Sequence, residues 1–207
     1  MQDILKYKTV RSFNETTLRK KSSSFTAQVY PIKNEEEAAK NLEQIRKRYY
    51  DATHHCYAYK ILPYKIKYSD DGEPTGTAGV RILNAINHYE LQNILVIVIR
   101  YFGGIKLGAG PLGTAYYNSV IQTLENSSII EKTGYKKILI EAGLNQINNI
   151  YHIIDQFKVK INKSDYSTDI RIECMTSCEK EQEFISSLNE ISKGKIKTKI
   201  EENIIFL

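Results

Sequence analysis

The sequence has no tryptophan, only 4 prolines and 3 cysteines, and no apolar run approaching the length of a membrane span. A bilayer-crossing helix needs roughly 20 consecutive apolar residues, so no membrane segment is expected. The opening stretch MQDILKYKTVRSF lacks the apolar core and cleavage site of a secretory leader. Cys56, Cys174 and Cys178 are an odd set, and three residues separate the closest pair. That spacing excludes a Cys-x-x-Cys redox or zinc pair, and it favours a reduced, cytoplasmic setting. Charge of one sign is also lacking: 29 basic against 24 acidic side chains leave a formal +5. This excess permits a phosphate-rich partner without requiring one.

What is present is the composition of a folded globular chain, 42% hydrophobic and 26% charged over 207 residues, with disorder expected only in the first few. That length suits two small domains, each with a core of its own. SSFTAQVYPI has strand character, and NEEEAAKNLEQIRKRYY reads as a helix capped by Asn34, with Ala38, Leu42, Ile45 and Tyr49 inward. CYAYKILPYKIKY is strand-like with a break at Pro63, and Ile82, Leu83, Ile86 and Tyr89 mark a second helix. NILVIVIRYF is apolar without alternation, the pattern of a central strand buried on both faces. A third helix carries Leu112, Tyr116, Val120 and Leu124 on one stripe.

The rhythm restarts at about Tyr135. YKKILIEA reads as a strand, and NQINNIYHIIDQF as a helix with Ile147, Ile150, Ile154 and Phe157 on one face. KVKINKSDY and STDIRIECM follow as strands, SCEKEQEFISSLNEI as a helix burying Phe184, Leu188 and Ile191, and KIKTKIEENIIFL as one closing strand. The order β-α-β-β-α-β is the ferredoxin-like unit, a sheet with two helices on one face. A glycine interrupting two apolar segments puts the domain boundary at EKTGY, giving domains over 1–131 and 135–207.

Three stretches carry candidate chemistry. In IRYFGGIKLGAGPLG, five glycines precede the third helix. Gly108 to Gly113 satisfies G-x-G-x-x-G, but too far beyond the strand end for a dinucleotide fold, and Ala109 stands where a Walker loop needs lysine. What remains is a helix start with free N–H groups beside Arg100, Lys106, Gly103, Gly104, Gly108 and Gly110, which attracts phosphate. Left-handed turns and close packing are the competing account of the glycines. In SDDGEPTGTAG, Asp70, Asp71 and Glu73 suit a divalent metal or acid–base work, while a solvated turn ahead of a helix explains them better. Thr75 and Thr77 add donors for an anion. In ATHHCYAYKI, His54, His55 and Cys56 suggest a nucleophile with a base or a metal site, but neighbouring strand residues point to opposite faces, so at most one histidine shares a face with a given partner, and three consecutive positions do not match zinc spacing. A fixed core or interface histidine is the expectation there. Tyr57 with Lys60 suits RNA stacking and pairing, or ordinary strand packing.

DATHHCYAYKI, SDDGEPTGTAG and IRYFGGIKLGAGPLG, in this order and spacing, resemble the IMPACT/YigZ family from roughly Lys20 to Asn126. The second domain resembles the small C-terminal domain of the bacterial members. The resemblance implies an α+β protein: a left-handed βαβ, two-layer first domain resembling domain IV of elongation factor G, then a ferredoxin-like domain resembling its domain V. Eukaryotic relatives carry an extra N-terminal interaction domain and restrain the amino-acid-starvation kinase by competing for its activator. That domain is not expected here, so the bacterial two-domain type fits. Two departures stand out: Val80 and Arg81 where relatives have Arg-Pro, and Gly110-Pro111-Leu112 where they have Gly-Gly-Leu. The first displaces a basic charge by one position, and the second removes a backbone N–H.

The resulting expectation is a regulatory protein that catalyses no reaction, holds no cofactor or metal, and binds RNA or the ribosome in a translation-linked role. Its binding face would comprise Arg100, Lys106, Arg81, Lys60, Tyr57, Thr75, Thr77 and the glycine loop. Two alternatives stand beside it. One is an enzyme or binding protein for a nucleotide or other phosphorylated small molecule, and the other is a protein-interaction module acting on a translation factor or stress pathway.

Overall fold

The computed structural model describes residues 5–207, and the parts of the leader and disorder readings that fall on residues 1–4 lie outside them. The fold is mixed α and β, with two antiparallel sheets. The described residues divide into a unit of residues 7–131 and a second unit of residues 5–6 and 132–207. Strand β1 (Lys6–Val10) belongs to the second sheet and β2 (Asn14–Lys20) to the first. Neither is legible in the hydrophobic pattern, because β2 reads NETTLRK and Leu18 is its only apolar residue.

In the first unit β3 (Ser23–Pro31) leads through helix α1 (Glu35–Arg48) to β4 (His54–Ile61) and its hairpin partner β5 (Lys65–Ser69). Helix α2 (Gly79–His88), strand β6 (Ile94–Tyr101) and helix α3 (Ala109–Glu125) follow, and the sheet order is β2-β3-β6-β4-β5. Helix α1 starts as its sequence demands: Asn34 Oδ1 accepts the Glu37 N–H at 2.9 Å, and Glu37 Oε2 accepts the Lys33 N–H at 2.8 Å.

Strand β6 organises the layers. Ile94, Val96 and Val98 pack with Phe25, Ala58, Ile82, Tyr116 and Val120 on the face covered by α2 and α3. Leu95, Ile97 and Ile99 pack with Ala38, Ile45 and Tyr59 on the face covered by α1. The first unit therefore has three layers where two were expected, because a strand apolar on both faces needs a cover on each.

The second unit runs β7 (Ile129–Ala142), α4 (Ile147–Phe157), β8 (Lys160–Asp165), β9 (Ile170–Ser177), α5 (Glu181–Ser192), β10 (Lys197–Ile200) and β11 (Ile205–Phe206). β10 and β9 flank β7, and β8 lies outside β9, so the four strands order β10-β7-β9-β8, all antiparallel. One face of this sheet, with Ile138, Ile140, Ile170, Ile172 and Cys174, packs against Ile150, Ile153, Ile154, Phe184 and Leu188 of the two helices. Ile153 takes the central place on α4, while Ile147 and Phe157 are only partly buried.

Two expectations are corrected here. The closing strand is in fact two, because residues 201–204 span only 136–137 of β7 between the pairs Ile200↔Ile138 and Ile205↔Tyr135. The glycine at 134 does not interrupt the chain's extended run, since β7 passes through it from Ile129 to Ala142, while the division into units falls between 131 and 132, inside the EKTGY stretch. A Cβ there would sit 2.8 Å from Ile204 Cγ2, so the glycine serves close packing under the last strand.

Candidate anion-binding cavity

The acidic turn after β5 is built around Asp70. Its Oδ1 accepts the N–H groups of Ala78 and Gly79 at 2.9 and 2.8 Å, and its Oδ2 accepts the Gly76 N–H at 2.9 Å. Ala78 cannot cap α2 with its own side chain, so Asp70 does so from eight residues upstream. Asp71 Oδ2 accepts the His55 N–H at 2.7 Å while Oδ1 pairs with Arg46 of α1 at 2.9 Å. The Thr77 hydroxyl donates to the Pro74 carbonyl at 2.6 Å, which removes it as an anion donor, and Thr75 remains exposed on the turn. The three carboxylates thus serve separate partners, and among the described residues no group of His, Cys, Asp or Glu is placed to hold a metal ion. The metal reading of Asp70, Asp71 and Glu73 is corrected accordingly.

Burial raises the Asp70 carboxyl, but the N–H donors of Gly76, Gly79 and Ala78 outweigh burial and hold it below the usual carboxylate range. A carboxylate with a depressed native pKa contributes stability that is complete above its unfolded value and lost as pH falls through the native one. Asp70→Ala is expected to cost about 2–3 kcal/mol at neutral pH by orphaning these donors. Asp70→Asn should flatten part of the acid limb. Urea denaturation from about pH 3 to 7 checks both, and an unchanged limb in the Asn variant would refute the capping role.

Glu73 turns inward from the same turn. Its Oε1 accepts from Arg100 Nη1 of β6 and from the Tyr116 hydroxyl of α3 at 2.7 Å, while its Oε2 lies 3.8 Å from His54 Nε2. Glu73 and Arg100 are 8% and 5% exposed, so the pair is largely withdrawn from water. The guanidinium carbon lies 5.3 Å from the Phe25 ring centroid and 5.5 Å from that of Phe102. Its Nε has no hydrogen-bond partner. Arg100 is therefore a buried structural cation, and its reading as a surface phosphate contact is corrected. His54 sits opposite Arg100 across the β4–β6 ladder. Its Nδ1 is 2.8 Å from the Asp71 carbonyl oxygen, which only accepts, so Nδ1 donates there and the Nε2 edge lies towards Glu73. Burial pushes the Cys56 thiol up, with its Sγ 2.9 Å from the Asp70 carbonyl oxygen, and this removes it as a nucleophile.

The glycine loop closes over this cluster. Gly103 lies so close to the β2–β3 turn that a Cβ would fall 1.9 Å from the Ser22 carbonyl oxygen. Gly104 and Gly108 have φ of +84° and +83°, which glycine adopts without strain. Gly110 has no such demand, because its Cβ would meet open space. At the start of α3, Pro111 has no N–H and the Leu112 N–H closes on the Gly108 carbonyl at 3.0 Å. Among the described residues, no acceptor meets the backbone N–H groups of Ala109 and Gly110.

A cavity of about 430 Å³ lies beside this helix start. Pro74, Phe102, Leu107 and Leu112 supply apolar wall, Thr53, His54, Glu73 and Arg100 supply polar wall, and Lys106, Gly108 and Ala109 complete the lining. Lys106 is exposed, and among the described residues no hydrogen bond or ion pair engages it. The cavity draws residues from all three motif stretches. Its chemistry combines a free ammonium, the helix start at Ala109, an exposed aromatic ring at Phe102 (44% exposed) and the imidazole edge of His54.

Other expected site residues lie elsewhere. Tyr57 stacks on Tyr59, with ring centroids 6.4 Å apart, on the α1 face of the sheet. Lys60 alternates to the other face and donates to Asn87 Oδ1 at 2.9 Å, and burial lowers its ammonium pKa. A joint RNA surface of Tyr57 and Lys60 is thereby excluded. His55 is buried and donates to the Tyr49 carbonyl at 3.0 Å. Arg81 lines a separate groove between α2 and α3, with Asn84, Gly110, Gly113, Thr114 and Tyr117. The sequence reading missed Phe102 and the polar role of Tyr116. The signal for Phe102 was an aromatic at the end of a buried strand, where the chain returns to solvent.

Fold and cavity together define a two-unit α+β protein whose first unit holds a ligand-sized pocket. The chain belongs to the IMPACT family: the Impact N-terminal domain matches residues 21–124, the span that contains the whole cavity. It is 31% identical over 191 residues to the IMPACT family member YvyE of Bacillus subtilis, covering 91% of this chain and 88% of that protein. It is 32% identical over 180 residues to the IMPACT family member YigZ of Escherichia coli, covering 85% and 88% respectively. With Protein IMPACT of Mus musculus the likeness is confined to 93 residues, 42% of this chain and 29% of that protein, at 34% identity. A crystal structure of a hypothetical protein superposes with a TM-score of 0.66 at 29% identity, covering 97% of this chain and all of the other. Among the described residues, no helix is long and apolar enough to cross a membrane.

Proposed function

We propose that this IMPACT-family protein is a non-catalytic regulator that binds RNA, free or on the ribosome, with one nucleotide unit seated at the cavity. The observation that carries the reading is the pairing, in the lining of one cavity, of an unengaged ammonium, Lys106, and the helix-start amide of Ala109 with an exposed aromatic, Phe102. Single-stranded RNA is recognised by that combination: phosphate on cations and helix-start amides, base against an aromatic face. The family resemblance supports a translation-linked role.

Cosedimentation with ribosomes, and fluorescence titration of a single-stranded RNA oligonucleotide over a salt series, test this. Phosphate contacts make affinity fall as salt rises, and Lys106→Glu should weaken binding and lower the salt slope by about 1–2. Equal binding by parent and variant at every salt concentration would sink the proposal. A second reading, a phosphorylated small molecule, is favoured by the cavity's size, which falls in the usual range for small ligands. A mononucleotide that binds as tightly as the oligonucleotide would select it.

A further inference from the structure

Among the described residues, strand β5 is an outer strand of the first sheet, paired only with β4, so its outward N–H and C=O groups have no strand partner there. Exposed large apolar side chains gather on it and its turn: Tyr64, Ile66 and Tyr68 are 64%, 54% and 50% exposed. Register separates its two faces. Ile66 and Tyr68 stand with Lys60 and Ala58, whereas Lys65 and Lys67 stand with Ile61 and Tyr59. The other outer strand, β2, differs, because its one apolar residue, Leu18, packs against the core.

We propose that β5 is a docking edge for an extended acidic peptide segment of a partner protein, one in which acidic and apolar residues alternate. A strand added to an edge takes its affinity from main-chain hydrogen bonds and its specificity from side chains that alternate between faces. Apolar residues of the incoming strand lie beside Ile66 and Tyr68, and its carboxylates lie beside Lys65 and Lys67. The protein already pairs these lysines with carboxylate chemistry, since Lys65 bonds Glu35, and both lysines help hold that carboxyl below its usual range. A second copy of the chain fits less well, because an antiparallel β5–β5 pairing centred on Lys67 sets like charges opposite one another. Lysines on an edge discourage neutral strands and self-pairing, and they leave an acidic strand as the matched occupant.

The probe is a synthetic capped hexapeptide of alternating glutamate and valine, titrated into the ¹⁵N-labelled protein. Amide shifts concentrated in residues 65–69 are expected. Lys65→Glu combined with Lys67→Glu should weaken binding at least about tenfold, and a lysine–valine peptide should bind that variant better than it binds the parent. Both lysines are exposed, so thermal melting verifies that the double variant stays folded. Lys106→Glu serves as the control at the cavity and should leave peptide binding unchanged, so this test stands apart from the RNA reading. Absence of β5 shifts, equal binding of the two peptides by the parent, or self-association through β5 in sedimentation would each overturn the proposal.

Discussion

Glu73→Ala is expected to lower the stability of the first unit by about 3–5 kcal/mol, the range for breaking a buried ion pair by removing one partner. The loss does not come from the attraction alone. It leaves the Arg100 guanidinium, 5% exposed and held between the rings of Phe25 and Phe102, with no carboxylate. It also takes the acceptor from the Tyr116 hydroxyl, in the middle of the core that α3 forms with the sheet. Both groups are buried, so each bears much of the cost of an unpaired polar group. The same argument gives the rescue: Arg100→Met added to Glu73→Ala removes the stranded charge and should recover more than half of the loss. Chemical denaturation of the single and double variants measures both. A single-variant loss below about 1 kcal/mol would mean that the pair is hydrated in solution.

Gly103→Ala is the second large effect, with a loss above about 4 kcal/mol or failure to fold. The added Cβ falls 1.9 Å from the oxygen and 2.1 Å from the carbon of the Ser22 carbonyl, and both atoms are backbone. Relief requires moving the turn between β2 and β3, and that turn carries the Ser23 hydroxyl to which Gly103 N–H donates at 3.2 Å. Gly110→Ala makes the contrast within the same loop. Its Cβ meets nothing within 4 Å, and alanine in a helix removes unfolded-state freedom, so stability should hold or rise by up to about 1 kcal/mol. Gly110 lines the groove beside Arg81 and not the cavity, so under the RNA proposal the same change should leave binding unchanged. Urea midpoints and RNA titration of the two variants separate a glycine required by the fold from one that the fold leaves free.

These two glycines illustrate how far a linear reading reaches. Five glycines before a helix announce a special loop, but only the path of the β2–β3 turn over Gly103 assigns one of them to packing. Arg100 and Lys106 read alike in sequence, as basic residues flanking glycine. The ladder places Arg100 on the inward face of β6, among Phe25, Glu73 and Tyr116, while Lys106 stays on the loop in solvent. The apolar run of β6 marks a strand buried on both faces, but the resemblance implied two layers, and only the packing of α1 opposite α2 and α3 shows the third.

Local patterns carry their own causes, and they were sufficient for several features: the Asn34 cap of α1, the inward stripe of α3, the β-α-β-β-α-β order of the second unit, and the three motifs that mark the family. Capping bonds span three residues and helical stripes repeat within a few turns, so the information lies within short windows. The cavity, the Glu73–Arg100 pair and the capping of α2 by a distant Asp70 depend on contacts between positions far apart in the chain, 27 residues apart for the ion pair alone. Such contacts are selected when hydrophobic burial stacks the sheet and helices, and only that tertiary packing decided which charged residues were sealed in and which were left to meet a ligand.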